Sequence, residues 1–175
     1  GGFVFNGLGI AIALYLGVAL DWTAALYCQI VITAIQLMTH YSNDYFDQDA
    51  DAAALTPTRW ASGSRVLPDG QLSPHWALAA ALVCAGIGLA ATGVLTINSK
   101  SPLLTFGLLL LALFVAWNYS GPPLWLNRRG LGEISAALLV PGLTTLLAFQ
   151  VQSGRLDWPP LLAVVPLCCF QFVML

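Results

Sequence analysis

Residues 75–97 read HWALAAALVCAGIGLAATGVLTI, without one Asp, Glu, Lys or Arg. As an α-helix, such a run crosses the hydrocarbon core of a bilayer, which takes roughly 20 apolar residues to span about 30 Å. The pattern recurs outward from there. Apolar segments cover Phe3–Leu20, Trp22–Asp44, Pro102–Tyr119 and Leu131–Gln152, and a sixth begins near Trp158. Composition agrees: 58% of residues are hydrophobic and 8% charged, with mean hydropathy +0.80. A soluble domain carries roughly 25% charged residues because its surface faces water. The expected fold is therefore all-α: a polytopic transmembrane helical bundle.

The segment boundaries carry helix-start chemistry. Ser73-Pro74, Ser101-Pro102 and Asp157-Trp158-Pro159 each set a capping side chain ahead of a proline suited to a first turn. Gly7, Gly9 and Gly17 in the first segment, with Gly86, Gly88 and Gly93 in the third, suit close helix–helix contact in lipid. Cys28, Cys84, Cys168 and Cys169 lie in apolar segments without metal-ligand spacing, and read as small buried hydrophobes. A net charge of −2 gives no footprint for nucleic acid. No signal peptide is identifiable in the opening GGFVFNGLG, and QFVML ends inside an apolar run. The expectation is one transmembrane domain over 1–175, cut from a longer chain at both ends.

Two longer polar loops, 45–74 and 120–130, follow even-numbered helices and so share one side of the membrane. That side holds Arg59, Arg65, Arg128 and Arg129, against Lys100 and Arg155 on the other. The positive-inside tendency puts the long loops in the cytoplasm.

At the start of the first loop, NDYFDQDAD (43–51) holds four of the chain's eight acidic residues. If the second helix continues through it, at about 100° per residue, Asn43, Asp47, Asp51 and Asp44 fall near 0°, 40°, 80° and 100° on one face. Asp49 falls near 240° and points away. Carboxylates this close resist ionising together near a membrane unless a cation neutralises them. Mg²⁺ suits the spot, because it binds through one or two carboxylates and shares its other positions with water and phosphate oxygens. It would draw a diphosphate there and help it leave. The plainer alternative is a solvated acidic turn.

Two further stretches bear on a phosphate. In ASGSRVLPDGQLSP (61–74), Arg65 sits in a Gly/Ser-rich loop and, like Arg59 just ahead of it, suits a bidentate phosphate clamp. YSGPPLWLNRRGLGE (119–133) brings Tyr119, Arg128 and Arg129 to the same side. Each arginine also reads as a simple topology anchor. His40, three residues before Asn43, either faces the same cavity or is a buried, hydrogen-bonded histidine. His75 reads as an interfacial residue, and Glu133 as a favourable charge at a helix N-terminus.

These residues resemble the UbiA-type superfamily of intramembrane prenyltransferases. Asn43, Asp44, Asp47 and Asp51 match its N-D-x-x-D-x-x-x-D signature at the end of the second helix. NDYFD, GSRVL with the following LSP, and Y-[ST]-G-x-P…RGLGE look most like the menaquinone-pathway branch, which attaches a polyprenyl chain to 1,4-dihydroxy-2-naphthoate. The resemblance implies a nine-helix bundle, of which six helices (the N-terminal two-thirds) are present, around a cavity open sideways to lipid. It implies that Asn43 and Asp47 ligate Mg²⁺, with Asp44 and Asp51 binding a second ion or orienting the first, so that the three aspartates carry the catalysis. It implies that Arg59, Arg65 and Arg129 hold the diphosphate and that Tyr119 lines the cavity. The substrates implied are polyprenyl diphosphate and an aromatic acceptor. The setting is a bacterial inner membrane, with the site facing the cytoplasm. A second D-x-x-x-D motif, expected after helix six, is not in this sequence, so the piece is expected to be inactive alone.

Other readings stay open. Another UbiA-type enzyme would use 4-hydroxybenzoate, homogentisate or a tetrapyrrole as acceptor. CDP-alcohol phosphotransferases need D-G-x-x-A-R after their first acids, which is missing here. Soluble isoprenyl synthases use D-D-x-x-D on helices that need not be lipid-hydrophobic. A cation transporter with an acidic vestibule would need ionisable groups at mid-depth, and the complete apolar segments have almost none.

Overall fold

In a computed structural model of the chain, the described residues are 1–53, 66–67 and 69–174. They form six helices and no strand: α1 (Gly2–Tyr15), α2 (Trp22–Ala53), α3 (Pro74–Ile97), α4 (Pro102–Asn118), α5 (Gly132–Ser153) and α6 (Trp158–Met174). Three stretches, Trp22–Asp49, Pro74–Ile97 and Gly132–Ser153, are long and apolar enough to cross a membrane, and the other three helices are shorter and apolar. The expected all-α bundle is what forms.

Local chemistry sets the helix ends. The first segment stops as a helix at Tyr15, short of Leu20. There Gly17, at φ 78°, takes the left-handed position that glycine occupies without strain. Its N–H bonds the Leu14 carbonyl at 2.9 Å and the Val18 N–H bonds Ala13 at 3.0 Å, which satisfies the orphaned carbonyls. Pro74 and Pro102 open α3 and α4, but neither Ser73 nor Ser101 caps through its hydroxyl. The Ser101 hydroxyl instead donates to the Gly154 carbonyl at 2.6 Å and accepts from Gln150 Nε2 at 2.9 Å. A tertiary bond has displaced the local one.

Pro141 interrupts α5. Without a backbone N–H it cannot continue the ladder, and residues Leu138–Leu143 widen into a π-helical turn. Gly142, in that turn, lets α6 come close: a Cβ there would lie 3.1 Å from Cys168 Sγ.

The core sits where α2 meets α3, α4 and α5, and includes Val31, Ile35, Met38, Ala81, Leu109 and Leu147. α1 lies on the C-terminal half of α5, with Gly9 at the contact. Of the six glycines expected at helix contacts, Gly9 and Gly88 face a neighbouring helix, whereas Gly7, Gly86 and Gly93 meet nothing within 4 Å and Gly17 shapes a turn. Cys28 and Cys84 are buried as expected, but Cys169 is exposed. Trp22, Trp76 and Trp158 are exposed near helix starts, where aromatic belts sit at membrane interfaces.

A polar knot closes one rim. Gln152 exchanges two hydrogen bonds with the Asp21 backbone, at 2.8 and 3.0 Å, and its carbonyl accepts from Lys100 Nζ at 2.6 Å. This ties together the α1–α2, α3–α4 and α5–α6 turns. Helix α2 continues through Asp47 to Ala53 rather than giving way to a loop at residue 45. Its end lies at the opposite rim together with the 120–130 loop, as the segment count predicts for the described residues.

Candidate functional site

Helix α2 runs through the acidic stretch and ends at Ala53. Asn43 and Asp47 therefore stand one turn apart on one face. The Asn43 amide donates to Asp47 Oδ2 at 2.6 Å and to the Ser120 hydroxyl at 2.6 Å. Asp47 is only 8% exposed, so its carboxylate needs partners. Asn127 Nδ2 supplies one at 3.3 Å, and Arg128 Nη2 lies 3.5 Å from Asp47 Oδ1.

The loop after α4 is folded to make this possible. The Asn118 side chain accepts from the Leu124 N–H at 3.0 Å, and its carbonyl accepts from Leu126 at 2.9 Å. The Tyr119 carbonyl accepts from the Asn127 N–H at 2.8 Å, which swings Asn127 and Arg128 back over α2. Gly121 is required by proximity, since a Cβ would meet the Trp117 carbonyl at 2.8 Å and Phe46 at 3.1 Å. Trp125 adopts φ 51°, a left-handed conformation that a bulky residue rarely holds. Its ring packs edge-on to Phe46, with centroids 5.2 Å apart, and Arg128 lies 4.2 Å above it. Arg128 also donates to the Phe46 carbonyl at 2.6 Å. One guanidinium thus joins an aromatic ring, a backbone carbonyl of α2 and a carboxylate.

The remaining expected residues fall as follows. Asp44 is half-buried beside Asn43, and Asp49 is exposed. Asp51 lies in the last turn of α2, but its side chain is outside the described residues, as are Arg59 and Arg65. Arg129 is exposed; the arginine that meets Asp47 is its neighbour Arg128. Tyr119 is half-buried, and its phenol is pushed above the ordinary tyrosine range by burial, then by Glu133, then by Asp47. Ser120 and Asn127 were not legible as site residues, because neither carries a spacing signal and only the loop's fold brings them to α2.

His40 is exposed rather than buried, and lines a cavity of about 120 Å³ between α2, α4 and α5. The walls are mostly apolar, with Ile35, Leu139, Leu143 and Leu147 among them, and Gln36, Thr39, His40 and Thr144 as the polar members. A second, almost wholly apolar cavity of about 640 Å³ lies between α4, α5 and α6.

The donor set fits Mg²⁺ shared with a ligand rather than caged by protein. Both amide hydrogens of Asn43 are committed, to Asp47 and Ser120, which leaves its Oδ1 as an oxygen donor next to carboxylates. No group of three or more His, Cys, Asp or Glu side chains poised for a metal occurs among the described residues. Mg²⁺ needs only one or two carboxylates when phosphate oxygens complete its shell.

A sequence model described as the UbiA prenyltransferase family matches residues 4–175. No curated protein and no solved structure matches the chain.

Proposed function

The chain belongs to the UbiA prenyltransferase family, and from that premise we propose that it transfers a polyprenyl chain from polyprenyl diphosphate to 1,4-dihydroxy-2-naphthoate, with Mg²⁺, at the cytoplasmic rim of a bacterial inner membrane. Prenyl transfer to an aromatic acceptor is the activity of the family; the acceptor, the metal and the quinone pathway are this reading's own. The observation that carries it is the Asn43–Asp47 pair, pinned by Ser120, Asn127 and Arg128 one turn of α2 from a mostly apolar cavity.

The chemistry assigns each residue a task. Mg²⁺ held by Asn43, Asp44, Asp47 and Asp51 would neutralise the diphosphate as a leaving group. Arg129, with Arg59 and Arg65, binds the diphosphate oxygens. Tyr119, which is in the lining of neither cavity described above, stays protonated in the field of Asp47 and offers a neutral hydrogen-bond donor near the rim. As the allylic C–O bond breaks, its electron pair leaves with the diphosphate, and a ring π pair of the acceptor forms the new C–C bond. The proton on the attacked carbon then leaves to water or to the diphosphate, which restores the aromatic ring. Apolar walls such as Ile35, Leu139 and Leu143 keep water from the allylic centre. The isoprenoid tail needs apolar volume, which the space between α4, α5 and α6 offers.

The test is a product assay. Membranes carrying the protein are given polyprenyl diphosphate, Mg²⁺ and either 1,4-dihydroxy-2-naphthoate or 4-hydroxybenzoate. Prenylated naphthoate should dominate. The reverse preference would move the protein to another branch of the family, and no aromatic product from either would end the reading.

A further inference from the structure

We propose that His40 binds a ring hydroxyl of the aromatic acceptor and so turns the neighbouring ring carbon toward the donor's allylic carbon; this rests on the prenyl-transfer reading above. The cavity between α2, α4 and α5 has four polar side chains among twelve lining residues. Two of them have spent their hydroxyl hydrogens on their own helices. Thr39 Oγ1 donates to the Ile35 carbonyl at 2.8 Å, and Thr144 Oγ1 to the Leu139 carbonyl at 3.2 Å. Gln36 is turned toward α1, where its Oε1 abuts the Cα of Gly2 so closely that a Cβ there would be 2.5 Å away. His40 remains. It is exposed, lines the cavity, and makes no hydrogen bond or ion pair among the described residues.

Its position along α2 suits the task. At about 1.5 Å of rise per residue, His40 stands about 4.5 Å below Asn43 and about 10 Å below Asp47. A diphosphate held at Asn43–Asp47 would therefore present its allylic carbon near the level of His40. A neutral imidazole offers one acceptor and one donor nitrogen. The acceptor nitrogen takes the ring O–H, which raises electron density on the carbons beside the hydroxyl. A mostly apolar pocket gives such a hydrogen bond discriminating power, because a ring lacking the hydroxyl leaves the imidazole without that partner. The proposal adds no bond-making step: His40 acts through the hydrogen bond and orients the ring.

Steady-state kinetics on the wild-type protein, His40→Phe and His40→Gln in native membranes test this. His40→Phe removes the hydrogen bond and should raise the acceptor KM about tenfold, the effect of one lost hydrogen bond. The KM for polyprenyl diphosphate should stay within twofold of wild type. His40→Gln restores an acceptor atom and should recover most of the loss. An unchanged acceptor KM in His40→Phe overturns the proposal and leaves the prenyl-transfer reading standing. An equal rise in both KM values also overturns it, because that marks a general structural role. A wild-type protein that prenylates no hydroxylated ring overturns both.

Discussion

Arg128 Nη2 lies 3.5 Å from Asp47 Oδ1 while the same guanidinium bonds the Phe46 carbonyl and covers the Trp125 ring. Three partners fix one flat group, and only a planar guanidinium serves all three at once. The Arg128 side chain is still 51% exposed, so its contribution to stability is that of a surface ion pair, about 1 kcal/mol or less. Arg128→Lys and Arg128→Ala should therefore barely move the unfolding midpoint in detergent. Both should lower prenyl transfer by about tenfold or more, because the carboxylate loses the group that orients it. A variant with full kcat/KM would show that Asp47 is held well enough by Asn43 and Asn127 alone.

Asp47 should be indispensable to the chemistry and dispensable to the fold. Asp47→Asn keeps the size of the side chain and an oxygen that can still accept from Asn43. It removes the negative charge that a cation requires. Mg²⁺-dependent prenylation should fall to background, with helicity and detergent stability close to wild type. Full turnover by Asp47→Asn would take this residue out of the metal site.

Tyr119 gives a pH signature. Its phenol is raised above the ordinary value by burial first, with Glu133 and Asp47 adding to it. The folded protein therefore favours the neutral phenol, while the unfolded chain ionises at the ordinary tyrosine value of about 10. Above that pH the unfolded state holds fewer protons, so stability falls as pH rises, until the folded phenol also ionises. In an ultraviolet titration Tyr119→Phe should remove one phenol that ionises above the ordinary tyrosine range, along with that part of the alkaline instability. Loss of some other tyrosine's transition would show that Tyr119 does not sit in the field of Asp47.

The bundle and half of the site could be read from the sequence, for different reasons. Apolar runs such as 75–97 mark helices wherever they fall, because a bilayer demands intrahelical hydrogen bonds. Asn43 and Asp47 are legible because α2 stays helical, and helical spacing alone sets them on one face. Arg128 and Arg129 could not be told apart, since adjacent residues on an irregular turn diverge and only the backbone bond from Asn127 to Tyr119 decides which returns to α2. Ser101 escaped for the opposite reason: a local cap was expected, but Gly154 and Gln150 claimed its hydroxyl. Sequence leaves His40 between a cavity-facing and a buried histidine, because no spacing rule tells a helix face lining a cavity from one packed shut.

Gly7 and Gly9 separate packing from composition. On α1 a Cβ at Gly9 would lie 2.6 Å from Ala148 Cβ and 2.9 Å from the Phe149 backbone nitrogen, whereas one at Gly7 would meet nothing within 4 Å. Backbone cannot swing aside like the end of a long side chain, so Gly9→Ala must push α1 off α5, at a cost of about 1–3 kcal/mol. Gly7→Ala meets no such resistance and gains up to about 1 kcal/mol of helix propensity. Cys28 and Cys84 are buried, so their labelling by a thiol reagent in detergent reports opening of the bundle. Gly9→Ala should speed that labelling several-fold, and Gly7→Ala should leave it unchanged or slower. Equal rates in the two variants would mean that α1 does not rest on α5 through Gly9.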